Sequence, residues 1–286
     1  MKKVFRISLL LILLLYMCTF SPAAAQGGLN HSQVRVPIIM YHSISDEISN
    51  DWSISRDALR EDLEYIKNHG YTTILPEELA CYVNGANFLP QRPIVLTFDD
   101  GYLNNLTELL PLLEEYECYA LVSVVGAYID RQSDKNQKNR HTAFMTWEQL
   151  KMLADSEYIR IGSHTWDMHE FPSPESAATS RSGSTKMEGE SVAEYQAALR
   201  EDINSLHEMF EAHDLQLPTC YTYPHGLYSA EGNAVIREAG YQISLTTKYG
   251  INKLTQRNPD SLYHLKRINR SPAKPLSKIL IRYFGE

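Results

Sequence analysis

The chain has 286 residues, of which 43% are hydrophobic, and a formal net charge of −8 at pH 7. This length suits one large α/β domain better than two small ones once an N-terminal segment of about 25 residues is set aside. The acidic balance argues against nucleic acid or an anionic polymer as the main partner.

The N-terminal segment has the pattern of a secretory signal peptide. Three basic residues precede an apolar run over residues 7–20, and small residues follow up to Ala25. The alternative is an uncleaved membrane anchor, but the run is shorter than the roughly 20 residues that span a bilayer. We therefore expect a signal peptide over residues 1–25, a polar tether over 26–35 and a secreted or extracellular domain over 36–286. Attachment of that domain to the membrane or the cell wall stays open.

Apolar spacing and turn residues predict strands and helices that alternate along the domain. The predicted strands cover residues 36–41, 71–75, 93–98, 119–125, 158–161, 220–223, 242–246 and 263–268. The predicted helices cover residues 55–70, 76–84, 105–116, 146–156, 192–213 and 230–239. Such alternation is typical of a parallel sheet or barrel.

Two adjacent carboxylates follow the predicted strand at residues 93–98. Asp99 and Asp100 stand at its carboxyl end, and Gly101 lets the backbone turn after them. The carboxyl ends of parallel strands form the mouth where catalytic groups collect. Because like charges side by side repel, the pair indicates a shared cation or proton there. The alternative is a helix N-cap with a spare surface carboxylate.

Two histidines follow another predicted strand further along the chain. His164 and His169 are five residues apart, about 500° on a helix, so a turn or irregular loop is needed to aim both at one point. One carboxylate and two imidazoles supply three ligands to a divalent ion and leave positions open, as a catalytic site requires. Zinc is the default metal for this set. The alternative is two unrelated polar loop residues.

These motifs, in this order, resemble the polysaccharide deacetylases of the NodB-homology type, carbohydrate esterase family 4. The resemblance rests on Thr97-Phe98-Asp99-Asp100-Gly101 and on Ser163-His164-Thr165 with its second histidine, and it extends over residues 36–270. The histidine spacing and an early Met40-Tyr41-His42 are most similar to the branch that deacetylates poly-N-acetylglucosamine in biofilms. The resemblance implies a distorted (β/α) barrel and a metal-dependent N-deacetylase.

The resemblance also implies a role for each residue of the site. Asp100, His164 and His169 are the expected metal ligands, and Asp99 is the expected general base that takes a proton from water. His42 is the candidate general acid that protonates the sugar nitrogen, although taken alone it is more typical of a structural histidine.

The segment Tyr221-Thr222-Tyr223-Pro224-His225-Gly226 departs from the Arg-x-Pro-Tyr motif of the family. Thr222 replaces the arginine that orients the catalytic aspartate, so Arg267 and Arg270 are candidates for that support, with plain surface charge as the alternative. His225 replaces the tyrosine. Three roles stay open for its side chain, which are sugar binding, acid catalysis and space filling, and its backbone N–H is a candidate donor to an oxyanion.

Further candidates for substrate binding lie beside the motifs. Leu245 resembles a family residue of the pocket floor that packs near the acetyl methyl group; it is also typical of plain core, and the two interpretations do not exclude each other. Aromatic rings suit the apolar faces of sugars, although most aromatic side chains belong to a core. The aromatic candidates that flank motif residues are Trp166, Tyr102, Tyr41 and Tyr223.

A polar segment over residues 172–191 has no apolar period, which predicts a mobile insertion beside His169. A lid over the site and a loop without function are equally compatible with it. The three cysteines beyond the signal peptide are too widely spaced for a disulfide framework, so buried thiols are expected, with one bridge as the alternative. They are Cys81, Cys118 and Cys220.

The sequence therefore predicts a secreted, monomeric hydrolase that uses zinc to remove N-acetyl groups from N-acetylglucosamine residues of an extracellular or cell-wall polysaccharide. It leaves open whether this polymer is poly-N-acetylglucosamine, peptidoglycan or a chitin-like chain. Two other classes remain, a metal-dependent amidohydrolase of a small non-sugar amide and a carbohydrate-binding protein without turnover. A long groove with aromatic rings would favour a polymer, a closed pocket a small amide, and loss of metal binding a binding protein.

Overall fold

The computed structural model describes residues 33–47, 50–86, 88–133, 143–171 and 180–285. The predicted signal peptide and most of the predicted tether lie outside these ranges, and so does the first part of the predicted insertion. Their predictions therefore stay predictions.

Twelve strands are present in the described residues. They are β1 (Val34–Val36), β2 (Ile38–Tyr41), β3 (Ser43–Ile44), β4 (Ser53–Ile54), β5 (Thr72–Thr73), β6 (Pro93–Asp100), β7 (Ala120–Val124), β8 (Ile159–Ser163), β9 (Cys220–Thr222), β10 (Ile243–Tyr249), β11 (Asn252–Leu254) and β12 (Leu265–Asn269). Seven of them form a closed parallel barrel in the order β2, β12, β10, β9, β8, β7, β6 and back to β2. The distorted (β/α) barrel expected from the sequence is therefore confirmed.

The distortion is visible along one edge of β6. At its start β6 pairs with the short strand β5, through Thr72 and Pro93, and from Val95 onwards the same edge pairs with β2. One strand of the barrel thus has two successive neighbours on one side. The pairing with β2 closes the ring at the carboxyl end, where the predicted site residues lie.

Helices connect the barrel strands. They are α1 (Arg56–Asn68), α2 (Pro76–Val83), α3 (Leu110–Tyr116), α4 (Gly126–Ser133), α5 (Trp147–Ala154), α6 (Val192–Ala212), α7 (Asn233–Glu238) and α8 (Leu276–Phe284). The longest, α6, begins with a capping box in which Ser191 and Glu194 satisfy each other's backbone N–H groups. Within the described ranges, we find no helix that is long and apolar enough to cross a membrane.

Alternate residues of the barrel strands belong to two different cores. The inner set, with Val95, Leu121, Leu245 and Leu265, forms a cluster with Leu79 of α2. The outer set packs against helices α1, α3, α5, α6 and α8, and includes Leu96 and Phe98 of β6. This two-residue alternation determines which way each polar residue at the strand ends points.

Several elements of the structure were not predicted from the sequence. They are helix α4, the antiparallel pair of β1 with β11, and the C-terminal helix α8. The predicted helix at 230–239 is a short 3₁₀ turn followed by α7, and the predicted strand at 263–268 is β12, two residues later at its start. Cys118 and Cys220 are buried thiols, as expected, whereas Cys81 is only half-buried.

Residues 180–191, the described part of the predicted insertion, are tied to the barrel. Arg181 forms an ion pair with Glu190 at 2.6 Å, and the buried Ser184 hydroxyl hydrogen-bonds to the hydroxyl of Tyr221 at 2.8 Å. The hydroxyl of Tyr195 on α6 donates to the Ser184 carbonyl. The rest of the insertion lies outside the described residues, so its mobility stays a prediction.

Candidate metal and catalytic site

Asp99 points into the barrel because side chains alternate along a strand, and Asp99 is on the same face of β6 as Val95 and Thr97, which point inwards. It is 2% exposed. Its Oδ1 accepts a hydrogen bond from Nη1 of Arg267 at 2.8 Å, and Arg267 is itself held by the Thr246 carbonyl and the Thr97 hydroxyl. The arginine side chain therefore fixes one oxygen of the carboxylate and leaves Oδ2 for other contacts.

Asp100 is the next residue, so it would be on the outward face if the regular strand β6 continued. Instead its φ is 76°, and Gly101 follows with a φ of 81°. Left-handed backbone at a residue other than glycine is rare and is maintained only when the surroundings demand it. This turn ends the strand and leaves Asp100 Oδ1 3.3 Å from Nε2 of His169 and 3.6 Å from Nε2 of His164.

The loop between the two histidines is held by a buried carboxylate of α6. Asp202 accepts hydrogen bonds from the Thr165 hydroxyl at 2.6 Å and from the backbone N–H groups of Trp166 and Asp167, both at 2.9 Å. Thr165 has a φ of 82°. The irregular loop that the five-residue spacing required is therefore stabilised by three donors to Asp202.

Three ligand atoms converge at the mouth of the barrel. Nε2 of His164 lies 3.2 Å from Nε2 of His169, and the buried Asp100 Oδ1, which lies near both, has no hydrogen-bond donor. Metal bonds of about 2.0–2.2 Å in a tetrahedral arrangement place ligand atoms about 3.3–3.6 Å apart. The separations and the unpaired oxygen both fit a bound divalent ion.

The outer nitrogen of each imidazole also has a partner. Nδ1 of His164 lies 2.7 Å from the Thr222 carbonyl, and Nδ1 of His169 lies 3.3 Å from the hydroxyl of Tyr128. A carbonyl can only accept, so His164 carries its proton on Nδ1 and leaves the lone pair of Nε2 free for a metal.

The charges of the site favour ionised aspartates and a neutral histidine. Burial raises the pKa of Asp99, but Arg267 and His164 outweigh it, so the pKa lies below its usual value. Burial acts on Asp100 in the same way, and close contact with His169, aided by the other imidazoles, likewise holds its pKa low. Burial lowers the pKa of His164 to about 4. At neutral pH all three side chains are in the forms that a metal site needs.

His42 lies on the other side of Asp99. It follows β2, and its Nε2 is 4.0 Å from Asp99 Oδ2. His164 Nε2 is 4.0 Å from the same oxygen. Trp52 packs edge-on against His42 with ring centroids 4.8 Å apart, and its own ring is 51% exposed. The open oxygen of Asp99 therefore faces one predicted metal ligand and the candidate acid.

His225 lies on the far side of His169, with ring centroids 4.6 Å apart. Its φ is 55°, and its Nε2 lies 3.3 Å from the carbonyl of His169, to which this nitrogen can only donate. Of the two candidate acids, His42 is the one in contact with Asp99. The predicted role of the His225 backbone N–H stays a prediction.

Several predicted substrate contacts need correction. Tyr223 is 2% exposed and Tyr41 is 1% exposed, so neither ring has a face open to a sugar. Trp166 packs closely on Gly126 of α4 but is only half-buried, so its predicted contact with a sugar stays a prediction. Leu245 is 1% exposed and belongs to the inner core of the barrel, and its predicted place near the acetyl methyl group stays a prediction. Position beside a motif did not reveal which way these side chains point.

Two other predicted residues differ in their distance from the chemistry. Tyr102 is half-buried and its ring stacks on Phe144, with centroids 5.0 Å apart, so its predicted contact with a sugar stays a prediction. Arg270, predicted as an alternative to Arg267, pairs instead with the buried Asp62 of α1 at 2.7 Å. Arg270 therefore takes no part in orienting Asp99, and that alternative was wrong.

Asp202, Tyr128 and Trp52 were not predicted from the sequence. Asp202 could have been found, because it falls on the apolar face of α6 together with Leu199 and Leu206. Burial of a carboxylate there is unfavourable unless hydrogen-bond donors contact it. Tyr128 lies on the helix that the sequence missed, and Trp52 lies in a loop, so no pattern indicated either.

The fold and the site together define a (β/α)-barrel protein with a candidate metal-ligand cluster beside a buried carboxylate. The chain belongs to the polysaccharide deacetylase family, whose sequence model matches residues 87–244. Asp99, Asp100, His164 and His169 all lie within the matched stretch.

Known proteins agree with this assignment. The chain is 27% identical over 234 residues to the poly-β-1,6-N-acetyl-D-glucosamine N-deacetylase of Escherichia coli (strain K12), which covers 76% of this chain but 34% of that enzyme. The deacetylase domain of BpsB from Bordetella bronchiseptica is 27% identical with a TM-score of 0.63, over 86% of this chain and 97% of that one. IcaB from Ammonifex degensii shares the fold, with 20% identity and a TM-score of 0.70, over 86% of this chain and 95% of that one.

Proposed function

We propose that the chain is a secreted, metal-dependent hydrolase that removes N-acetyl groups from N-acetylglucosamine residues of an extracellular or cell-wall polysaccharide. One observation carries the proposal. The buried carboxylate of Asp99 lies beside the cluster of Asp100, His164 and His169, with one oxygen held by Arg267 and the other facing His164 and His42. A general base next to a metal site is an arrangement suited to amide hydrolysis.

Asp100, His164 and His169 would hold the metal through one carboxylate oxygen and two Nε2 atoms. When bound there, a divalent ion supplies Lewis-acid chemistry that polarises a carbonyl and acidifies water. We propose zinc, because one carboxylate and two imidazoles suit it.

Asp99 receives the proton of the attacking water at Oδ2. The carboxylate is ionised at neutral pH because Arg267 and His164 keep its pKa low despite burial. Arg267 binds the opposite oxygen, so Oδ2 keeps its lone pairs and a fixed direction. The arginine thus orients the base and also keeps it in the reactive protonation state.

His42 donates the proton that the departing sugar amine needs. Its Nε2 is 4.0 Å from Oδ2 of Asp99, close enough for a reacting group beside the pair to contact both side chains. Breakage of the amide bond then yields acetate and a free amine, and the proton that reaches the amine balances the one taken from water.

A sugar polymer is the substrate class that the surroundings favour. Trp52 lies beside His42, and Phe171, which is 70% exposed, lies 5.3 Å from the ring of His225. Exposed aromatic rings at two sides of a site suit the apolar faces of sugars. The named activity of the Escherichia coli relative supports poly-β-1,6-N-acetylglucosamine as the polymer.

The test is acetate release by residues 26–286 from β-1,6 and β-1,4 N-acetylglucosamine oligomers, each with zinc and with chelator. We expect release from the β-1,6 oligomer that chelator abolishes and zinc restores. Release from the β-1,4 oligomer alone would change the polymer but keep the reaction. No release from either oligomer by a zinc-loaded protein would contradict the proposal and favour a non-sugar amide or a binding protein.

A further inference from the structure

Tyr128 contacts one ligand of the candidate metal site from outside the cluster, and a second tyrosine, Tyr102, lies beside it. The hydroxyl of Tyr128 is 3.3 Å from Nδ1 of His169, and the two rings pack edge-on with centroids 5.7 Å apart. Tyr128 comes from α4, and Tyr102 comes from the turn after β6. The ligand His169 thus receives support from a separate segment of the chain.

One phenylalanine joins the two tyrosines. The Tyr102 ring stacks on Phe144 with centroids 5.0 Å apart, and the Tyr128 ring packs on the same phenylalanine at 4.6 Å. The backbones of Tyr102 and Phe144 also form a β-bridge. On its other side Tyr128 contacts the guanidinium of Arg131, 5.1 Å from the ring centroid. Both phenols therefore have their rings fixed before any ligand binds.

The hydrogen-bond directions match the needs of a metal site. If Nε2 of His169 is to bind a metal, Nδ1 must carry the proton, so the Tyr128 hydroxyl accepts from it.

We propose that Tyr128, braced by Phe144, is a positioning residue that holds His169 in the geometry for binding a divalent metal. The inference rests on the proposed function, in which this ligand holds the metal. Thr222 plays the equivalent role for His164 through its carbonyl. Each imidazole of the cluster then has one orienting partner.

The experiment measures zinc affinity by competition with a chromophoric chelator in the wild type and in Tyr128→Phe. This change removes the hydroxyl and keeps the ring. We expect zinc to bind about 10- to 100-fold more weakly in the variant, the usual effect of removing an outer partner of a metal ligand. The melting temperature of the metal-free protein is expected to stay within the range of the control.

The control is Tyr116→Phe, which removes a tyrosine hydroxyl that donates to Glu64 far from the cluster. It is expected to bind zinc as the wild type does. A zinc affinity of Tyr128→Phe within about twofold of this control would overturn the inference and leave the proposed function intact. A wild-type protein that binds no zinc would instead overturn the proposed function itself.

Discussion

Two arginines three residues apart at the end of β12 each form a buried ion pair, and the two pairs have different roles. Arg267 binds Asp99 at 2.8 Å, and Arg270 binds Asp62 at 2.7 Å. All four side chains are almost fully buried. Nothing in their composition or burial separates the two pairs, so the difference must lie in the remaining atoms of each carboxylate.

The oxygens of Asp62 are both occupied. They accept from Arg270, from the hydroxyl of Tyr41 and from the backbone N–H of Leu276, which joins α1, β2 and the start of α8. Asp99 instead accepts from Arg267 at Oδ1 only, while Oδ2 faces His42 and His164 at 4.0 Å. A fully paired buried carboxylate maintains the fold, and one with an open oxygen is available for chemistry.

The largest effect is expected from Arg270→Met. This change leaves the Asp62 charge buried without its cation, so the free energy of unfolding should fall by about 3–5 kcal/mol. Chemical denaturation measures that loss. Activity per folded molecule and its pH profile should match the wild type, because Arg270 does not contact Asp99. A shifted pH profile would break the comparison.

Arg267→Met is expected to affect activity as well as stability. Without the guanidinium, burial acts on Asp99 unopposed by its strongest partner and raises its pKa, so the base is protonated over more of the pH range. Acetate release at neutral pH should fall about 100-fold, equivalent to about 2.7 kcal/mol, and the acidic limb of the pH profile should move to higher pH.

Arg267→Lys serves as the matched control, because it restores the charge without the planar fork of donors. It should return the acidic limb towards the wild-type position while recovering only part of the rate. If the limb stays unmoved in Arg267→Met, then Arg267 does not set the protonation of Asp99, and the two ion pairs would be equivalent.

Asp202→Asn tests whether a third buried carboxylate acts through the site or only through the fold. The asparagine side chain places its N–H₂ group against one of the donors that now bond to a carboxylate oxygen. The lost hydrogen bond should lower the free energy of unfolding by about 1–2 kcal/mol. Zinc affinity should fall about tenfold, because the loop between His164 and His169 loosens. Asp167→Asn, an exposed neighbour on the same loop, should change little. Unchanged zinc affinity in Asp202→Asn would assign Asp202 to the fold alone.

The fold was predictable because its strands and helices alternate with clear periods. The site was predictable where its residues are adjacent in the sequence, as Asp99 and Asp100 are, or closely spaced, as His164 and His169 are. Helix α4 was missed because its eight residues follow β7 directly and carry no cap signal. Its absence from the prediction also concealed Tyr128.

Contacts between distant residues were beyond the reach of the sequence. Arg267 and Arg270 were equivalent candidates, since which one faces the barrel interior depends on strand parity and on where β12 ends. Asp62 and Asp202 share a readable signal, an acid on the apolar face of a helix, but the partner of each comes from elsewhere in the chain. The direction of Tyr41, Tyr223 and Trp166 required the closed barrel.

The measurement that tests the central claim most directly is zinc binding and acetate release in Asp99→Asn and Asp100→Asn. We expect Asp99→Asn to bind zinc within about twofold of the wild type but to lose about 10³-fold or more in acetate release, as expected for loss of a general base. Asp100→Asn should lose both zinc and activity. Equal loss of zinc in the two variants would contradict the assignment of base to Asp99 and ligand to Asp100.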